Sequence, residues 1–284
     1  MSQIPNDSMV SPASVMRLFL IQTILVAFVA CGDSPSSPSG ANPDGTNDVF
    51  TQKVTQNGLA LFGRSDVSSS FMTNVGKAYE AMLQSSSRVD TAMRGSYNST
   101  VSSQYVYQRV GLGSPSNYAT MDAMASDPYA DNAVDYIWEG GSGSDLIGEV
   151  LEHLLHTVTA VAFELTFPSA WGYSDKNTQL YRAMQEAIDA GDYDITSYAD
   201  IDDAEAYHRI LTQEYAYWLI LAEWDYFAVT GAVQDGYGSG NEEFKLGNPD
   251  EIITRNPLGH KLYQDYVEKI LSIPDKTLIV SLFP

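Results

Sequence analysis

Cysteine is almost absent. Cys31 is the only one in 284 residues, so no internal disulfide can staple the fold. Positive charge is scarce as well. Lys and Arg number 15 against 36 Asp and Glu, a formal net charge of −21. Such a surface repels phosphates and anionic lipid headgroups, which argues against nucleic-acid binding. There is no phosphate-binding glycine loop, no serine nucleophile elbow and no internal repeat. Alternating apolar and polar runs are few, and this predicts a mainly α chain, a single helical domain with two long central helices. Tyrosine is well represented. Eighteen Tyr and four Trp point to an aromatic-rich core or an aromatic-lined cleft.

The N-terminal segment Met16–Cys31 reads MRLFLIQTILVAFVAC. Arg17 precedes an apolar run of about a dozen residues, short of the ~20 a membrane span needs and suited to the core of a signal peptide. Phe28-Val29-Ala30-Cys31 resembles the bacterial lipobox, with Phe28 where Leu is usual. The resemblance implies cleavage before Cys31, lipidation of Cys31, and a protein held on a membrane of the bacterial cell envelope, on the periplasmic or cell-surface side. Residues 1–15 are polar and unlike a signal start, which points to Met16 as the initiator. Gly32 to Asp48, GDSPSSPSGANPDGTND, cannot bury enough apolar surface to fold and reads as a tether. The expected organisation is a signal peptide over 1–30, a lipidated Cys and disordered linker over 31–48, and a helical globular domain over 49–284. With Cys31 lipidated, any metal must be held by His, Asp and Glu.

Within the domain the periodicity predicts a short helix in Phe50–Phe62 and another over Phe71–Gln84, while Val101–Val110 suits strand or helix. Met121–Trp138 reads as helix-rich. The breaker Gly140–Ser144 then opens a long helix from Asp145 to about Leu165. Thr178–Ala190 is an amphipathic helix closed by Gly191. Asp200–Val229 is the second long helix, its acidic start favoured by the helix dipole. Gly231–Asn256 reads as loop, Leu258–Leu271 as a helix, and Thr277–Phe283 as a short strand or a tail on the core.

The first long helix carries GEVLEHLLHTVTA. Glu149, Glu152, His153 and His156 stand at i, i+3, i+4 and i+7, which puts them on one face. Side chains at i and i+4 lie close enough to ligate one ion, and carboxylate with imidazole suits a divalent metal, zinc first and iron second. A solvated polar face would show the same spacing. The charge context favours the metal. From Val110 to Asp175 there is no Lys or Arg, yet the stretch holds Asp122, Asp127, Asp131, Asp135, Glu139, Asp145, Glu149, Glu152, Glu164 and Asp175. A bound cation relieves that repulsion. On the second long helix Glu214 and Glu223 lie in an apolar and aromatic run, where a lone carboxylate is costly. Glu214 is the expected further ligand, and Glu223 is expected to meet a Tyr hydroxyl. Glu205 and His208 form an E-x-x-H near the helix start that reads as an exposed acidic turn. A di-iron bundle normally has two such motifs.

Glu149-Val150-Leu151-Glu152-His153 resembles the H-x-x-E-H helix of inverted zincin peptidases, with Glu149 in place of the first His. The likeness covers this one helix, and the sheet of those peptidases is not expected here. It implies Glu149 and His153 as metal ligands, Glu152 as the catalytic base, and a third ligand on a later helix, as Glu214 or Glu223 would be. Aligned on H-E-x-x-H instead, Glu152 and His156 are ligands and His153 the base. Three functions follow as expectations. One is a metal-dependent, peptidase-like hydrolase of the envelope. The others are a metal-binding lipoprotein without catalysis, and a lipoprotein that binds a ligand on its aromatic surface.

Overall fold

The chain's first described elements are strands, and they overturn both the short helix expected in Phe50–Phe62 and the expected mainly α fold class with its single helical domain. The computed structural model describes residues 49–103, 106–113, 134–233 and 239–284. The expected signal segment, Cys31, the tether and most of Met121–Trp138 lie outside these residues. Strand β1 (Gln52–Gln56) pairs antiparallel with β2 (Leu59–Gly63). Asn57 and Gly58 make the two-residue turn at φ 47° and 89°, the conformation that Asn-Gly adopts most readily between strands. Strands β3 (Tyr107–Leu112) and β4 (Ile137–Glu139) add in parallel, giving a mixed sheet in the order β1-β2-β3-β4. The architecture is therefore α/β.

The sheet is covered on both faces, and the pleat decides which residue goes where. Leu59, Leu61, Val110 and Ile137 join the main core with the helices. Phe50, Phe62, Tyr107, Tyr136 and Trp138 form a separate aromatic cluster on the other side. Residues buried on both faces read as continuous apolar runs, which is why alternation did not reveal these strands. Helix α1 (Ser69–Ala81) starts at Ser68, whose hydroxyl accepts from Phe71 N. Helix α2 (Thr91–Ser103) follows, and the two bridge β2 and β3.

Helix α3 (Gly143–His156) is the first long helix, and Thr157–Phe163 continues it as a π-helix. A final α turn, Glu164–Thr166, ends it before Pro168. Its apolar residues Ile147, Val150, Leu151, Leu154, Leu155 and Val158 are all buried. Gly143–Thr166 is long and apolar enough to cross a membrane, but 78% of that stretch is buried within the protein, as a core helix is. Gly148 lets the chain pass close, since a Cβ there would stand 3.1 Å from Thr230 O.

Thr178 caps helix α4 (Gln179–Asp189), and Asp203 caps helix α5 (Ala204–Glu223), its carboxylate accepting from Ala206 N. Helix α5 is the second long helix. From Tyr215 to Glu223 every residue is buried, and α5 packs directly against α3. Helices α6 (Pro249–Arg255) and α7 (Pro257–Leu262) follow within and after the expected loop, and a π turn over Tyr263–Val267 extends α7. The last apolar run is helix α8 (Lys276–Leu282), not a strand, and Asp275 caps it through Leu278 N.

Candidate metal centre

Helix periodicity brings the α3 residues to one side, and the packing of α5 against that side encloses them. His153 and His156 are each 2% exposed, so the face carrying them is not a solvated one. Their rings meet edge to face at 5.6 Å. Glu152, His153 and His156 each offer a ligand atom within 4.8 Å of the others. These three residues could hold a metal ion, and no other group of three or more His, Cys, Asp or Glu does so among the described residues.

The two imidazoles are held differently. Nδ1–H of His153 donates to the Glu149 carbonyl at 2.9 Å, which leaves Nε2 for a ligand. Metal-binding histidines are commonly oriented in this way. Nδ1 of His156 faces Gln213 Nε2 at 3.1 Å. Nε2 of His156 is buried with no hydrogen-bond partner, and Glu214 Oε1 stands 3.5 Å from it, beyond a good hydrogen bond. A buried polar atom without a partner is rare and marks a place where something is missing or strained. Tyr217 closes the other side, its ring edge-on to His156 at 5.8 Å. The π-helix begins directly after His156, an irregularity often found at functional sites.

Glu149 lies apart from the triad. Its Oε1 accepts from Trp138 N at 3.0 Å, covering the edge of β4, and stands 3.4 Å from His153 Nδ1. It thus meets the ring nitrogen turned away from a ligand. Glu214, expected here because of the apolar run around it, stands beside His156. Glu223 does not. It pairs with His260 Nδ1 at 2.8 Å, so an imidazole takes the place of the expected Tyr hydroxyl. Glu205 accepts from Tyr173 at 2.7 Å, and the His208 ring lies against Tyr181 at 5.6 Å.

Charge and burial set the protonation of the cluster. Burial pushes the Glu149 carboxyl up to about 7, with His153 and the Trp138 amide opposing. Burial pulls His153 down, but the carboxylates of Glu149, Glu152 and Asp135 outweigh it and raise the ring to about 9. Burial drives His156 down to about 3, against the pull of Glu152. One ring therefore holds a proton that a cation can replace, and the other is a neutral donor throughout the ordinary pH range.

Two contributors escaped the sequence reading. Asp135 precedes β4, and its charge acts on Glu149, His153 and His156. Its place in the stretch without Lys or Arg was the available signal. Gln213, polar in an apolar run and adjacent to Glu214, was the other. Gln108 on β3 adds a support by accepting from Thr157 Oγ1 at 2.5 Å, beside His156. No protein-family model matches the chain, and no curated protein or solved structure is significantly similar to it.

Proposed function

We propose that this protein binds a divalent metal ion on helix α3 and is held to a bacterial cell-envelope membrane by lipid on Cys31. The observation that carries the metal reading is the Glu152, His153 and His156 cluster with its ligand atoms within 4.8 Å. The partnerless Nε2 of His156 and the carboxylates without local Lys or Arg support it. Two imidazoles with one or two carboxylates suit zinc first and iron second. The lipid anchor rests on the sequence around Cys31. Cys31→Ser is expected to release the protein from membranes, and a variant that stays bound after a high-salt wash refutes the anchor.

A hydrolase is the second reading, favoured by one distance. Glu214 Oε1 stands 3.5 Å from His156 Nε2. With His153, His156 and Glu214 holding the ion, Glu152 would be left free to act as general base, and the metal would supply activation of water, as the peptidase-like motif implies. The test is Glu152→Gln, with metal content and peptide hydrolysis measured side by side. In a binder the variant loses metal affinity. In a hydrolase it keeps the metal and loses turnover by orders of magnitude. His153→Ala loses the metal in both cases, and unchanged metal content in that variant refutes the site.

A further inference from the structure

We propose that Gln213, which belongs to neither the ligand set nor the catalytic candidates, decides which nitrogen of His156 is offered to the metal. The inference rests on the metal-binding reading above. Its basis is the contrast between the two imidazoles. His153 is preset, because a backbone carbonyl accepts only from Nδ1–H, so Nε2 is the nitrogen that gives up its proton to a metal. His156 faces a side-chain amide instead, at 3.1 Å, and an amide donates from one end and accepts at the other.

As the structure places them, Gln213 Nε2 lies 3.1 Å from His156 Nδ1, and an amide nitrogen can only donate to it. The neutral ring then carries its proton on Nε2. That nitrogen is buried, has no hydrogen-bond partner and has the Glu214 oxygen 3.5 Å away. It cannot bind a metal while it holds the proton. A half-turn of the Gln213 amide exchanges its nearly isosteric ends and presents Oε1 to Nδ1. The ring proton then belongs on Nδ1, donated to Oε1, and the Nε2 lone pair faces the Glu214 side. The Nε2 proton leaves to water and a proton from water enters at Nδ1, so the ring stays neutral and no net charge moves. The orphaned donor disappears in the same step. Burial of Gln213, 9% exposed, and the Tyr217 ring beside His156 hold both partners in place. Gln213 is thus a positioning residue, acting on the metal through His156.

The test uses zinc, the folded chain and three proteins: wild type, Gln213→Glu and Gln213→Leu. Long-range proton–nitrogen NMR of His156 is expected to show the proton on Nε2 without zinc and on Nδ1 with it. A carboxylate accepts and cannot donate, so at a pH where it is ionised Gln213→Glu is expected to show Nδ1–H even without zinc and to bind zinc at least as tightly as wild type. Gln213→Leu is expected to bind about 10–100-fold more weakly. Should Gln213→Leu fail to fold, the Glu variant and the NMR comparison decide alone. Wild type with the proton on the same nitrogen in both states overturns the inference, as does equal affinity in all three proteins. In those cases the metal reading survives. Wild type that binds no zinc removes the metal reading and this inference together.

Discussion

Replacing His156 by Leu should separate a metal ligand from a structural histidine by whether zinc still stabilises the protein. The side chains are similar in volume, and the site is 2% exposed. Without metal, the substitution removes a buried Nε2 that has no partner, relieving a desolvation penalty of about 1–3 kcal/mol. It also leaves the buried Gln213 amide without its partner at 3.1 Å, a cost of about 1–3 kcal/mol. The two terms are of equal size, so His156→Leu with chelator should lie within about 2 kcal/mol of wild type. With zinc at about 100 times its Kd, wild type gains about 2.7 kcal/mol and the variant gains little. For a domain of this size that is a rise of roughly 5–10 °C in wild type alone. Thermal melts of both proteins with chelator and with zinc check this. An equal zinc-induced rise in both proteins refutes the reasoning.

Gly58 sits at φ 89°, and a Cβ there would lie 2.5 Å from Ser102 Oγ, so Gly58→Ala should cost about 1–2 kcal/mol in denaturant unfolding. An unchanged unfolding midpoint would contradict the hairpin turn. Burial raises the Glu164 carboxyl to about 7, Arg209 notwithstanding. The folded state therefore holds this proton more tightly than the unfolded state, and stability present below the unfolded carboxylate range is lost as pH rises through about 7. Glu164→Gln should remove that part of the loss, on the order of 1 kcal/mol, in melts compared at pH 5 and pH 8. Leu154, fully buried where α3 packs, should cost about 2–5 kcal/mol as Leu154→Ala. A change under 1 kcal/mol there would mean that α3 is not a core helix.

The helices were legible because their signals are local. The spacing of apolar residues marked α1, α3, α4 and α5, and Thr178 caps α4 at the predicted start. The sheet was not legible from alternation, since β2 packs apolar side chains on both faces. Asn57-Gly58 carried the hairpin signal and was passed over. The end of the chain was misread for a related reason. Lys276–Leu282 is too short to show a helical period, while Asp275 caps it locally. At the site, spacing put Glu152, His153 and His156 together because one helix supplies all three. Glu149 shares the helix but turns to the β4 edge, a tertiary partner that helix periodicity cannot show. Gln213 and His260 take their roles from contacts 57 and 37 residues away in sequence, beyond any local pattern.

Anomalous diffraction at the zinc edge, from crystals of the zinc-loaded protein, tests the central claim most directly. The account predicts one peak about 2.0–2.2 Å from nitrogens of His153 and His156 and from a carboxylate oxygen of Glu152 or Glu214. A peak elsewhere, or none at these residues with zinc in excess, would contradict it.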